Sequence, residues 1–342
     1  MSGFAPAITV IQPSMMLPQI AMQYSMATGA FELLADGAPS VKIGSSDLAV
    51  YQKYLRVTTN TQAGQSLPGE LPSSSVVPSY DQMMTYRIST RSQYNVFDSE
   101  AAGNWGYSLT EALRLAARQG MAQQLRNMLL YGINATNNEG LVHSPNAVTA
   151  NLGSDSGANT TYQTWDSGEL AQYMLNTVGS LKTKMFLLGQ PVRIVILAPQ
   201  RFLQQITYAG VVQLTNFQRV GAGTATAAEM VKAIAAGAGG DEIIFCADDT
   251  LIGKGAGGTD LIIISAPEIV VPATQSTINT NIFATLTPNQ QAVNMMFCDV
   301  PAPTEIPSPV PDGGLTTLYT MRSTPGWNIR PEGITLLSAA SA

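Results

Sequence analysis

The stretch LLYGINATNNEGLVHSPNAV, residues 129–148, joins two different kinds of pattern. An apolar run stops at Gly132. A polar turn follows, then Gly140-Leu141, then a Ser-Pro-Asn step. The stretch also holds the only histidine of the chain, His143. It reads either as an active-site loop around a group that titrates near neutral pH or as a structural corner. The residues on either side have to decide.

Upstream lies the clearest helix signal. Ser108 and Glu111 form an S-x-x-E capping box. Leu109, Ala112, Leu113, Ala116, Met121, Leu125, Met128 and Leu129 then recur at three- and four-residue steps. Gly132 stands where a C′ glycine ends a helix. About 24 residues at about 1.5 Å each make a rod of about 36 Å, long for a globular helix.

Before the helix, LRVTTNTQ and TYRISTRSQYNVF alternate polar and apolar residues with period two, the mark of half-buried strands. AGQSLPGELPSSSVVPSY lies between them and is rich in Gly, Pro and Ser. The expectation is a long β-hairpin across residues 46–99, whose two strands flank a loose tip and lie on another surface. Residues 1–45, rich in Met, Pro and Ala, read as an arm ordered by partners.

After the corner the pattern becomes mixed. SGELAQYMLNTVGSLKTKMF, QRFLQQITYA and AAEMVKAIAAG read as helices; VRIVILAP, DEIIFCAD and DLIIISAPEIVV read as strands. This α/β region, about 165–290, looks like one compact unit. From 291, AVNMMFCDV, LTTLYTMRST and GWNIRPEGITLLS read as strands, with PAPTEIPSPVPDGG as a proline-rich link.

Composition sets outer bounds. Across 342 residues, 45% are apolar and only 12% charged, about half the usual charged share. A neutral secreted or β-rich protein fits, as does a chain that buries much of its surface against copies of itself. Net charge is −6, with no Lys/Arg run, which argues against sequence-specific nucleic-acid binding. No window approaches a membrane span. The start, MSGFAPAITVIQPSMM, lacks the basic and apolar regions of a secretion signal, so a cytoplasmic location is expected unless the chain leaves inside an assembly. Cys246 and Cys298 sit in apolar runs and read as buried free thiols.

The chemical motifs fail one by one. His143 adjoins Ser144, but neighbouring residues rarely point at each other, so no triad forms. GSDSG (153–157) places Asp155 where a nucleophilic serine would sit. IGKGAGG lacks the Ser or Thr of a phosphate loop after Lys254. GAGGDEIIF precedes a strand, whereas a dinucleotide fingerprint follows one. Asp241-Glu242 and Asp248-Asp249 lack ion-loop spacing and read as solvated strand ends. No catalytic residue, cofactor or metal is expected. Arg114, Arg118 and Arg126 drift along one side of the long helix, as an exposed face or as a face near phosphate.

The order of these pieces resembles the major capsid protein of tailed bacteriophages, the Hong Kong 97-type fold. In that family a long spine helix ends in an aromatic-glycine step, then a polar loop leads to Gly-Leu and soon to Asn or Pro. Here these are Tyr131-Gly132, Gly140-Leu141 and Pro145-Asn146. GWNIRPEGI (326–334) resembles the strand that returns to the peripheral domain. The likeness runs from about residue 45 to the end and rests on element order.

The resemblance implies an α+β fold: an arm (1–45), an extended hairpin (46–99), a peripheral domain with the spine helix (100–145), an axial domain (146–290) and return strands of the peripheral domain (291–342). It implies self-assembly into pentamers and hexamers of an icosahedral head around double-stranded DNA, with scaffold, portal and decoration proteins as further partners. It places the protein in the virion, assembled in the host bacterial cytoplasm. Gly132 and Gly140 then form the structural corner, His143 carries no chemistry, and Arg114, Arg118 and Arg126 are the basic residues that would face inward. An encapsulin-like shell would share the fold; an α/β enzyme would need a pocket with convergent polar groups.

Overall fold

The computed structural model describes residues 41–44, 46–58, 73–104, 106–134, 139–145, 147–185, 191–212, 227–268, 294–298, 303–311 and 313–341. Residues 1–40 of the expected arm, the centre of the hairpin tip and the end of DLIIISAPEIVV lie outside them.

The hairpin exists, and the start of LRVTTNTQ lies in its first strand, but its second strand is not the one expected. β1 (Ala49–Thr58) pairs antiparallel with β2 (Ser75–Met84), from Ala49↔Met84 to Thr58↔Ser75. The stretch read as loose tip therefore supplies the second strand. Pro78 lies within it, which a two-stranded ribbon tolerates because both strands are edges. After Thr85 the chain enters β3 (Tyr86–Tyr94), the strand expected to close the hairpin. It belongs to a separate antiparallel sheet with order β3-β10-β9.

β9 (Thr304–Pro309) and β10 (Leu315–Ser323) complete that sheet. β9 falls in the segment expected to be a link. It is an edge strand, so Pro307 and Pro309 remove no essential ladder bond. Between β3 and the long helix lies α1 (Val96–Asn104), in place of a strand end. Asn95 and Asp98 cap it reciprocally: the Asp98 amide donates to Asn95 Oδ1 at 2.8 Å, and the Asn95 amide to Asp98 Oδ2 at 3.1 Å. α2 (Leu109–Tyr131) is the long helix. Ser108 accepts from the Glu111 amide at its start, and Gly132 closes its end.

The remaining elements are β4 (Val148–Asn151), α3 (Ser167–Lys184), β5 (Arg193–Ala198), α4 (Gln200–Val212), α5 (Ala227–Gly239), β6 (Glu242–Ala247), β7 (Asp260–Ser265), β8 (Met295–Met296), β11 (Trp327–Asn328) and β12 (Ile334–Ala339). Five of them form a mixed sheet, β4-β12-β7-β5-β6. β12 was expected among the return strands of the peripheral domain. It instead lies inside this sheet, parallel to β4 and antiparallel to β7.

Both faces of the mixed sheet are covered, which explains the unbroken apolar runs of β5 and β7. Ile194, Ile196, Ile262, Ile264 and Leu337 face a core containing Leu170, Met174, Leu181, Phe202 and Val231 from α3, α4 and α5. Val195, Leu197, Leu261, Ile263 and Leu336 face the opposite way, into a second core. Met121, Leu125, Met128 and Leu129 of α2 and Ile88, Tyr319 and Met321 of the three-stranded sheet complete that second core. The C-terminal half of α2 thus fastens the two sheets together. A third cluster, Met296, Cys298 and Trp327 with Val41, Val50 and Met83, anchors the hairpin base.

Candidate assembly surfaces

The corner is a backbone device. α2 leaves carbonyls unsatisfied in its last turn. The returning chain supplies donors: the Leu141 amide bonds Leu129 O at 3.1 Å and the Val142 amide bonds Leu130 O at 2.9 Å. That close return requires Gly132 (φ 68°) and Gly140 (φ 85°), a left-handed region that disfavours a Cβ. A Cβ on Gly140 would meet Gly132 N at 2.3 Å, and one on Gly132 would meet Glu139 O at 2.5 Å. Glu139 is buried beside them and accepts from Tyr86 Oη and from the Asn134 amide. His143 is exposed, and its amide only closes a turn onto Gly140 O.

The three helix arginines do not act together. Arg114 Nε donates to Glu305 Oε1 of β9 at 2.6 Å, Arg118 reaches the same oxygen at 3.5 Å, and Glu111 flanks Arg114 at 3.7 Å. Arg114, assisted by Arg118, holds the Glu305 carboxyl below its ordinary range. Arg126 departs from the expected basic face. It is buried and paired with Asp248, which is itself 1% exposed, and it reaches Thr250 Oγ1.

The acidic strand ends also differ from expectation. Asp241 is buried and takes Lys182 Nζ at 2.8 Å on both oxygens and the Val192 amide at 3.0 Å. Asp248 neutralises Arg126. Only Glu242 and Asp249 of the two acidic pairs are exposed. Sequence reading had singled out neither Asp260 nor Tyr162. Fully buried Asp260 accepts from Arg201 and from Tyr162 Oη. Burial, then the Asp260 carboxylate, push the Tyr162 hydroxyl up to about 12.

The hairpin presents an unusual surface. Tyr51, Val76, Tyr80 and Met84 share one face by register and are 60%, 58%, 69% and 50% exposed. Tyr51 and Tyr80 meet edge to face at 5.9 Å. The other face is fixed locally. Val50 and Met83 pack on the base cluster. Tyr54 is pushed up to about 12 by burial, then by the Asp81 carboxylate across the ribbon. Sequence reading missed Val76, Tyr80 and Met84, although their even spacing is a strand signal.

Among the described residues, no group of three His, Cys, Asp or Glu side chains could hold a metal ion. No described helix is long and apolar enough to cross a membrane. Cys298 is buried and Cys246 only partly so. A cavity of about 900 Å³ between α4 and α5 is lined by glutamines, threonine and aliphatic groups with Arg201, Lys232 and Phe245. Arg201 is committed to Asp260, and Lys232 lies over the Phe245 ring.

The fold, a mixed α+β chain with a projecting hairpin, is that of phage capsid subunits. The capsid of Myoviridae phage XM1 superposes with a TM-score of 0.66 at 10% identity, covering 95% of this chain and 96% of that one. The capsid of cyanophage P-SCSP1u gives 0.57 at 12% identity over 97% and 94%. The capsid of an empty gene transfer agent particle gives 0.54 at 8% identity over 95% and 96%. No protein-family profile matches the sequence, and no curated protein matches it.

Proposed function

We propose that this chain is a major capsid protein, the structural subunit of an icosahedral phage head that encloses double-stranded DNA. One observation carries the reading: the capsid fold covers nearly all of this chain and of its structural neighbours. The exposed hairpin face supports it, since four large apolar side chains in water call for a covering surface.

In this reading α2 is the spine helix. The three-stranded sheet with α1 and α2 is the peripheral domain, the five-stranded sheet with α3, α4 and α5 is the axial domain, and β1-β2 is the extended hairpin. The subunits form pentamers and hexamers in the host cytoplasm and remain in the virion. Scaffold, portal and decoration proteins are the expected partners. DNA is held by confinement: Arg126 is spent on Asp248, and Arg114 and Arg118 share Glu305.

The test is sedimentation and negative-stain imaging of the chain expressed with its neighbouring genes. Capsomers or closed shells are expected. A chain that stays monomeric with those genes present refutes the reading.

A further inference from the structure

The outer face of the three-stranded sheet is cationic and incompletely covered. Its other face packs on α2 through Ile88, Tyr319 and Met321. By register the outer face carries Arg87 opposite Arg322, Ser89 opposite Thr320 and Thr304, and Arg91 opposite Leu318 and Ile306. Directly opposed like charges on a sheet are unfavourable unless an anion sits near them. Among the described residues none of Arg87, Arg91 and Arg322 forms an ion pair. Arg87 bonds Thr320 Oγ1 and Arg322 bonds Asp47 O. Asp47, an acid at the rim, turns its carboxylate to the Gly44 amide at 2.7 Å. Ile306 is 46% exposed beside Leu318.

The complementary pattern lies on α1, which follows β3 at the end of the sheet away from Arg87 and Arg322. Phe97 is 77% exposed, the highest of any large apolar side chain described. Glu100, one turn later, is exposed and has no ion-pair partner among the described residues. Residues three apart on a helix stand about 5–6 Å apart. Directly opposite residues on neighbouring strands stand about 5 Å apart. The Phe97–Glu100 pair thus matches the Leu318–Arg91 pair in spacing and in chemistry.

We propose that the outer face of the three-stranded sheet seats α1 of a second copy, with Phe97 on Leu318 and Ile306 and Glu100 on Arg91. The inference rests on the self-assembly reading and names one of its contacts. Because the donor on α1 and the acceptor on the sheet face are different patches of one subunit, the contact can run head-to-tail, the kind that closes into a ring when the rotation between copies permits. Arg87 and Arg322 flank the seat and attract the acidic end of α1, which also carries Asp98.

A charge swap tests it. Arg91→Glu and Glu100→Lys are each expected to raise the concentration needed for assembly by on the order of tenfold or more, measured by sedimentation. The double variant should return close to wild type. Phe97→Ser should weaken assembly without lowering the urea midpoint of the unassembled subunit, because the ring is exposed there. Single variants that assemble like wild type, or a double variant no better than either single one, overturn the proposal. Arg91→Glu particles that form normally but package less DNA also overturn it, and assign the face to phosphate. If wild-type chain itself forms no oligomer, the shell reading fails first, and the swap is not what refuted it.

Discussion

Replacing Gly140 with alanine should damage the subunit itself, before any assembly. At φ 85° an alanine is strained by roughly 1–2 kcal/mol. The new Cβ would sit 2.3 Å from Gly132 N and 2.5 Å from Tyr131 C. Both are backbone atoms, so no side chain can swing aside and the returning strand must lift from α2. That lift breaks the Leu141–Leu129 and Val142–Leu130 hydrogen bonds, roughly 1 kcal/mol each. The sum is about 3–4 kcal/mol, a large share of a stability on the order of 5–15 kcal/mol. Urea unfolding followed by circular dichroism should show a midpoint about 1 M lower if m is about 3 kcal/mol/M. Gly120→Ala is the internal control. That glycine lies inside α2, and a Cβ there meets nothing within 4 Å, so alanine should stabilise by about 0.5–1 kcal/mol. If Gly140→Ala unfolds at the wild-type midpoint, the two glycines do not clamp the corner and the backbone argument is wrong.

Other outcomes follow from the same packing. Arg126→Met leaves Asp248 buried and uncompensated and should cost about 3–5 kcal/mol; Arg126→Met with Asp248→Leu should recover much of that in the same urea assay, and no recovery would mean the pair is not the cause. Tyr80→Ser together with Tyr51→Ser should leave the unassembled subunit's thermal midpoint nearly unchanged and lower the yield or heat resistance of shells, because both rings are exposed in the subunit; a subunit that unfolds instead would place the ribbon in its own core. Tyr162 has its folded value raised from 10.0 to about 12, so its contribution is fully present below pH 10 and lost as pH rises from 10 towards 12. Tyrosinate absorbance should therefore show one fewer late-ionising group in Tyr162→Phe, and that variant should lose less stability than wild type across this window; equal losses would refute the linkage.

How legible the fold was depended on where each pattern was enforced. α2 could be read because cap, period and terminal glycine agree within one segment. β5 and β7 could be read because burial on both faces leaves unbroken apolar runs, IVILA and LIII. β2 was lost because Pro78 and its serines resemble a turn, and only the partner strand reveals that proline is harmless there. α1 was lost because Val96 continues the alternation of β3, while the Asn95–Asp98 cap that starts the helix is a two-residue signal. Nothing in ITLLSA says which sheet β12 joins, since that is decided by a slot between β4 and β7.

The site shows the same division. Gly132 and Gly140 stood out because backbone geometry restricts residue choice. Arg126 carried a usable warning: twelve residues at 3.6 per turn place it about 120° around the helix from Arg114, off the exposed side. Its partner Asp248 lies 122 positions away, a distance at which no local pattern operates.

The position of β12 has a consequence for timing. The strand fills the gap between β4 and β7, so residues 148–265 cannot close their sheet while residue 339 is still unsynthesised. At about 5–20 residues per second the ribosome holds that gap open for on the order of ten seconds. During that interval β4 and β7 present unpaired edges. The core that fastens α2 to the sheet also lacks Ile334 and Leu336. A nascent chain is therefore unable to offer a finished surface to its neighbours. In the proposed shell, a chain that has not yet added β12 is not competent to join its neighbours.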